Sequence, residues 1–374
     1  MSREAFLDIP MPGLFDTFCL KNVTLRNRIA VSPMCQYMSV DGVANDWHRV
    51  HYASLARGGA GLVTLEATAV SPEGRISWGD AGLWNDEQAD ALKPIVQSIK
   101  HWGATPGIQL AHAGRKASAN RPWEGDNHIP EGEPNSWKTI APSSVPFGAN
   151  LSRLPEEMSL QDIARVQLAM VDAAARARDV GFEWLQLHFA HGYLAQNFWS
   201  PLSNRRTDHY GGSSENRGRY LLETLIAVRK VWPENRPLTA RFSVVEFHGD
   251  DEKTLSESIE LLKKMKAEGL DSVDVSIGFN TPEAKIPWGP NLLGDIAARV
   301  LRETGLPGTT SWFIDGPEGA DRLIREGKID FASIGRPFLA NPHWAYHAAE
   351  VLKVKNAAWE TLPAPYAHWL SRYR

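Results

Sequence analysis

Cysteine is nearly missing from this chain: its 374 residues include only Cys19 and Cys35. Two thiols exclude a disulfide-stapled scaffold, a four-thiolate zinc site and a four-thiolate iron–sulfur cluster, and they favour a reducing compartment. An excess of one charge is missing too. Lys and Arg number 40 against 44 Asp and Glu, a net charge of −4, so a nucleic-acid partner has no electrostatic support. No window approaches the roughly 20 apolar residues of a membrane span. Met1 to Pro10 carries Arg3, Glu4 and Asp8 within a short apolar scatter, which is neither a signal-peptide core nor a transit helix. These absences point to a cytoplasmic protein with a small-molecule partner. No G-x-G-x-x-G turn follows the first apolar run, which argues against a Rossmann domain.

What is present is an ordinary globular mixture, 43% hydrophobic and 22% charged, with 14 Trp. At about 150 residues per domain the length allows two or three domains, but one elaborated α/β barrel can absorb 250 to more than 400 residues. Short β-branched or apolar runs begin near Asn27 (NRIAVS), Gly61 (GLVTLE), Pro106 (PGIQLA), Glu183 (EWLQLH), Leu238 (LTARFS), Ser272 (SVDVSI), Pro307 (PGTTS) and Asp330 (DFASI). Each is followed by a stretch of helical periodicity, the alternation of a parallel sheet covered by helices. Ser159 and Asp162 form a capping-box variant ahead of Ile163, Val166, Met170 and Ala174, with Gly181 as the stop. The same pattern places a helix start at Thr254 and Glu257, a stripe at Leu255, Ile259, Leu262 and Met265, and a stop at Gly269. Pro317 after Gly316 opens another helix that ends at Gly327. Eight such units predict a (β/α)₈ TIM barrel of the α/β class rather than an open sheet.

The spacing has one outlier. About 70 residues separate the third and fourth strands, and the Pro-, Gly- and Asn-rich segment from Asn120 to Pro155 reads as a long excursion over the barrel mouth, with Trp123, Trp137 and Phe147 to pack it. The chain is therefore expected to be one domain over 1–374, the barrel covering about 14–354. The remainder, 355–374, is a tail expected at a subunit interface, because its aromatic run WETLPAPYAHWLSRYR would be a liability if exposed.

In such a barrel the polar residues at the C-terminal strand ends converge on one mouth. Read in order, the ends carry Ser32, Pro33, Met34 and Cys35 with Tyr37 nearby; Glu66 and Ala67; Gln109, then His112, Arg115 and Lys116; His188, His191 and Tyr193; Arg241; Trp312; and Gly335 with Arg336. His188 and His191 suit two donors to one substrate oxygen, or two metal ligands if Glu66 or His112 supplied a third. Tyr193 suits an acid where the proton acceptor is a carbanion. A buried guanidinium at Arg241 asks for an anionic or electron-rich partner, and Gln109 can donate and accept in one plane at a heteroaromatic edge. Gly335 and Arg336 after the last strand lie where barrels often bind phosphate. Together these contacts describe a flavin mononucleotide.

Several long motifs carry a resemblance: SPMCQY at 32–37, VTLEATAVSPEGRIS at 63–77, GIQLAHAGRKAS at 107–118, HFAHGYL at 188–194, SPLSNRRTDHYGGSSENR at 200–217 and SIGRPFL at 333–339. From about Leu14 onward the chain resembles the Old Yellow Enzyme family of flavin-dependent ene-reductases. RPWEGDNH within Asn120 to Trp137 looks most like the xenobiotic-reductase branch. The resemblance implies a barrel with one non-covalent FMN, contacted by Ser32, Pro33, Met34, Cys35, Ala67, Gln109, Arg241, Gly335 and Arg336, and reduced by NADPH or NADH. It implies that His188 and His191 bind the activating oxygen, that Tyr193 donates the proton, and that Tyr37 and Trp312 shape the substrate site. Cys35 would tune the flavin. In that branch the tail reaches a neighbouring subunit's site, for which Trp369 and Arg372 are the candidates, implying a homodimer or homotetramer. Two other readings stay open on the residues: a metal-dependent barrel hydrolase using His188, His191 and Glu66, and a non-catalytic flavin-binding protein.

Overall fold

The structure, a computed structural model, describes residues 11–373, so the expectations placed on Met1 to Pro10 and on Arg374 lie outside it. Eight parallel strands form one sheet: β1 (Ile29–Val31), β2 (Leu62–Ala69), β3 (Thr105–Ala111), β4 (Trp184–Phe189), β5 (Leu238–Val245), β6 (Ser272–Ile277), β7 (Gly308–Thr310) and β8 (Ala332–Ile334). Their order is β7-β6-β5-β4-β3-β2-β1-β8. The last gap, between β7 and β8, is bridged at Asp330, whose N–H donates to the Gly308 carbonyl and whose Oδ2 accepts from the Gly308 N–H, both at 2.8 Å. The sheet is thereby a nearly closed barrel, as the eight alternating units predict.

Helices return the chain outside it: α1 (Asp46–Arg57), α2 (Asp86–His101), α3 (Leu160–Val180), α4 (Ser214–Arg229), α5 (Asp251–Ala267), α6 (Gly294–Thr304) and α7 (Gly316–Arg325). Their ends follow local chemistry. Ser159 accepts from the Asp162 N–H while the Asp162 side chain accepts from the Ser159 N–H, and Gly181 stops α3 at φ +103°, a conformation costly for any other residue. The start expected for α5 at Thr254 and Glu257 is corrected. Asp250 caps it one turn earlier, accepting from the Lys253 N–H at 3.0 Å. Glu257 is drawn instead to the buried Arg217 guanidinium, at 2.6 Å.

Alternation along the strands sorts side chains between two environments. Leu185, Leu187 and Phe189, Leu238, Ala240 and Phe242, and Val273, Val275 and Ile277 belong to the large core beneath the helices. The alternate positions, Gln186 and His188, Thr239 and Arg241, and Ser272, Asp274 and Ser276, are buried and polar. The barrel interior is therefore a stack of polar layers. Its N-terminal end is closed by a separate apolar cluster, in which Phe18, Val23 and Leu25 from the hairpin Phe18–Leu20/Val23–Leu25 pack with Ala30, Leu62, Trp184 and Phe331. With that end filled by side chains, the polar barrel interior opens at its C-terminal mouth.

The excursion between β3 and α3 lies against the mouth. Trp137 donates its indole N–H to the Glu73 carbonyl at 3.0 Å, Arg115 donates to the Val145 and Pro146 carbonyls, and the Lys116 ammonium stands 4.2 Å from the Phe147 ring centre. Trp123 is not packed as expected: it is 60% exposed and meets the edge of Tyr37 at 5.8 Å. The described part of the tail forms the short helices Ala357–Thr361 and Ala364–Leu370, which turn Ala358, Thr361, Leu362 and Ala367 inward. No helix among the described residues is long and apolar enough to cross a membrane.

Candidate active site

Register brings the polar strand ends side by side. His188 on β4 faces Arg241 on β5, which faces Asp274 on β6; one layer down, Ala67 pairs with Gln109 and Gln109 with Gln186. Arg241 Nε lies 3.4 Å from the Asp274 carboxylate, close enough for an ion pair but not aligned for a hydrogen bond. Burial raises the Asp274 pKa and the Arg241 charge opposes that rise.

Beyond β4 the chain turns sharply. His191 (φ +63°) and Gly192 (φ +68°) are consecutive left-handed residues, and a histidine there is strained by about 1–2 kcal/mol. The turn is held from several sides. Lys116 Nζ donates to the carbonyls of His191 (2.8 Å) and Phe279 (2.6 Å), and Asn197 donates to the Gly192 carbonyl at 2.9 Å. The result brings Tyr193 edge-on against the histidines. Ring centres lie 4.9 Å apart for His188 and His191, 5.1 Å for His188 and Tyr193, and 6.5 Å for His191 and Tyr193.

Both histidines titrate well below their ordinary value, first because burial disfavours the charged form and then because Arg241 repels it. Each is a neutral imidazole with one N–H to give. Burial also pushes the Tyr193 phenol well above its ordinary value, so it keeps its proton. The Cys35 thiol is likewise raised, by burial and by the Asp80 and Glu66 carboxyls, and stays a neutral thiol. Lys116 is brought down to about 7 by burial and by Arg115.

A cavity of about 590 Å³, within the usual range of small-molecule sites, opens beside this cluster. Ser32, Pro33, Met34, His191, Arg241, Trp312, Gly335 and Arg336 all line it, so most of the residues expected at the site converge on one space. Sequence reading missed Ser311, Phe313, Ile314 and Ser333 on the same wall; they flank Trp312 and Gly335, and position after a barrel strand was the signal that could have found them. Cys35, Tyr37, Ala67, Gln109, His188 and Tyr193 do not border this cavity. Gln109 is turned to Gln186, donating at 2.7 Å, and Ala67 shares a small adjoining void with Asp80 and Tyr193.

The cavity suits a flat heteroaromatic ring with an anionic arm. Arg241 is buried, yet its Nε has no hydrogen-bond partner among the described residues. Gly335 lines the cavity beside Met34 and Ser32, where a Cβ would meet them only at ordinary contact distances of 3.6 and 3.8 Å. The exposed Arg336 guanidinium sits at the rim. A metal site fits less well. Glu66 is taken up by the Tyr52 hydroxyl (2.9 Å), the Gln36 N–H (2.8 Å) and His48, away from His188 and His191. Among the described residues no three His, Cys, Asp or Glu are grouped to hold an ion.

A (β/α)₈ barrel with a polar interior and a cavity at its C-terminal mouth lined by Arg241, Gly335 and Arg336 fits the flavin-dependent oxidoreductases of the barrel type. Residues 13–355 match the model of the NADH:flavin oxidoreductase / NADH oxidase family, and the chain belongs to that family. It is 42% identical over 344 residues to an NADPH dehydrogenase of Geobacillus thermodenitrificans, covering 91% of this chain and 95% of that protein. A structure of morphinone reductase in complex with tetrahydroNAD is similar at a TM-score of 0.76 and 25% identity, over 91% of each chain. A 2-naphthoyl-CoA reductase is similar in fold alone, at a TM-score of 0.81 and 24% identity, over 91% of this chain; the chain spans about half the length of that protein, 52%. The protein is an FMN-dependent NAD(P)H oxidoreductase of the Old Yellow Enzyme type.

Proposed function

We propose that the protein reduces the activated C=C bond of α,β-unsaturated carbonyl or nitro compounds, with NADPH or NADH as reductant. The observation that carries this reading is the pair of neutral imidazoles, His188 and His191, with ring centres 4.9 Å apart and a protonated Tyr193 beside them, His191 itself lining the cavity. In this reading Ser32, Pro33, Met34, Cys35, Ala67, Gln109 and Arg241 hold the FMN ring, while Gly335 and Arg336 hold its phosphate. FMN held there would supply hydride-transfer chemistry between the nicotinamide and the substrate. One site then serves both molecules in turn, which gives ping-pong kinetics.

The chain's own residues do the rest. His188 and His191 each donate to the carbonyl or nitro oxygen of the substrate. Held in place by the packed turn after β4, these N–H dipoles would stabilise the negative charge that develops there as hydride reaches the β-carbon. Tyr193 gives its proton to the α-carbon. Tyr37 and Trp312 keep the substrate flat against the cofactor. The aromatic excursion motif RPWEGDNH supports a place in the xenobiotic-reductase branch. We further propose that the chain is one domain and forms a homodimer or homotetramer through its tail, whose Trp359, Trp369 and Tyr373 are 52%, 70% and 84% exposed; Trp369 and Arg372 are the residues that would reach a neighbouring copy.

The purified protein is expected to be yellow, to bleach anaerobically with NADPH and to regain colour on addition of 2-cyclohexenone. Colourless protein indifferent to added FMN would refute the reading, and protein that binds FMN without turnover would leave only flavin storage. Cys35→Ala is expected to retain the cofactor but shift its potential, measured by dye-coupled reduction, because a neutral thiol beside the ring is replaced by a methyl group. Recovery of cofactor-free protein would contradict that role.

A further inference from the structure

Ser276 ends the inward-facing row of β6 (Ser272, Asp274, Ser276) and is 0% exposed. Its hydroxyl joins two residues already assigned to the site. The Trp312 indole Nε1 lies 2.8 Å from Ser276 Oγ, and His191 Nε2 lies 2.7 Å from it. An indole N–H can only donate, so Trp312 takes up one lone pair of the oxygen. The hydroxyl still has a proton to place. Among the described residues its only other hydrogen-bond partner is His191 Nε2. If Nε2 carried a proton, Oγ would accept twice and its own proton would be buried without an acceptor, an arrangement folded proteins avoid.

We propose that Ser276 is a positioning residue that holds His191 in the tautomer protonated on Nδ1, leaving Nε2 bare and Nδ1–H as the donor to the substrate oxygen. Trp312 acts behind it by occupying the competing lone pair. The tautomer matters because His191 is kept neutral by burial and by Arg241, and a neutral imidazole has a single donor. The other tautomer would present a lone pair to an oxygen that is becoming negative. The inference rests on the reading of His191 as an oxygen-binding residue, and its test separates the two.

Holoenzyme labelled with ¹⁵N-histidine is examined by long-range ¹H–¹⁵N correlation, His191 being assigned from the signals lost in His191→Gln. The expected pattern is a protonated Nδ1 and an unprotonated Nε2. In Ser276→Ala the pattern should move toward Nε2–H, and affinity for para-hydroxybenzaldehyde should fall about tenfold, or about 1.4 kcal/mol; Ser276→Thr, which keeps the hydroxyl, should preserve both. A wild-type Nε2–H pattern overturns the proposal, as does a Ser276→Ala enzyme with the wild-type pattern. A tautomer change with unchanged phenol affinity would instead overturn the oxygen-binding role of His191.

Discussion

Replacing His188 and His191 together by alanine is expected to leave FMN bound while lowering kcat/KM for 2-cyclohexenone by about 10³–10⁴-fold. Loss of one preorganised donor to a developing oxyanion typically costs about 10²–10³ in rate. Two donors sharing one oxygen are not additive, which sets the combined figure below the product. The cofactor should survive because its proposed contacts run through other residues lining the cavity, among them Arg241, Gly335 and Arg336. Para-substituted phenols, whose oxygen mimics the enolate, should lose most of their affinity in the same variant. If they bound the double variant as tightly as the wild type, the two imidazoles would not be the oxygen site. The wild-type pH profile adds a check with a definite sign. Both histidines titrate well below the ordinary histidine range, so the rate should show no histidine step between about pH 6 and 7.

Tyr193→Phe should separate the two halves of the reaction. The phenol is raised well above its ordinary value by burial, so it is a proton source at any neutral pH. Removing it should slow oxidation of the reduced enzyme by an enone by about 10²–10⁴-fold, the usual contribution of a positioned acid. Reduction of the bound flavin by NADPH should be unchanged, because that step needs no proton from this residue. Stopped-flow traces of the two steps at one pH would read both rates. Phenylalanine keeps the ring beside His188 and under Lys116, so packing should survive. A quinone acceptor, which takes its protons on oxygen from solvent, should still turn over. Equal slowing of both half-reactions would mark Tyr193 as structural.

Much of this site was legible before the fold was known, for an identifiable reason. Strand ends in a barrel share one mouth, so position after an apolar run already separates residues such as Ser32, His188, Arg241 and Gly335 from the rest. The same logic failed at β6, where no residue stood out. Ser276 is a small hydroxyl in SVDVSI, and only the approach of Trp312 from the segment after β7 and His191 from the loop after β4 gives it a task. Glu66 shows the opposite error. Its place within β2, near the C-terminal end, made it a candidate metal ligand, but Tyr52 and His48 from α1 claim it. The start of α5 was misplaced because Thr254 and Glu257 match a cap by type, and the competing Asp250 and Arg217 are decided by packing.

By itself the sequence determined what depends on near neighbours: the eight strands and the α3 cap and stop at Ser159 and Gly181. Period and capping are set by residues within a few positions of one another, so they survive without knowledge of the fold. Tertiary structure alone decided what depends on residues far apart in the chain. It closed the barrel through Asp330 and Gly308, turned Gln109 toward Gln186, brought His191 to Ser276, and held the histidines neutral by burial beside Arg241. Desolvation and charge repulsion exist only once distant segments have enclosed a space. The donors could be named from the sequence, but their protonation and aim could not.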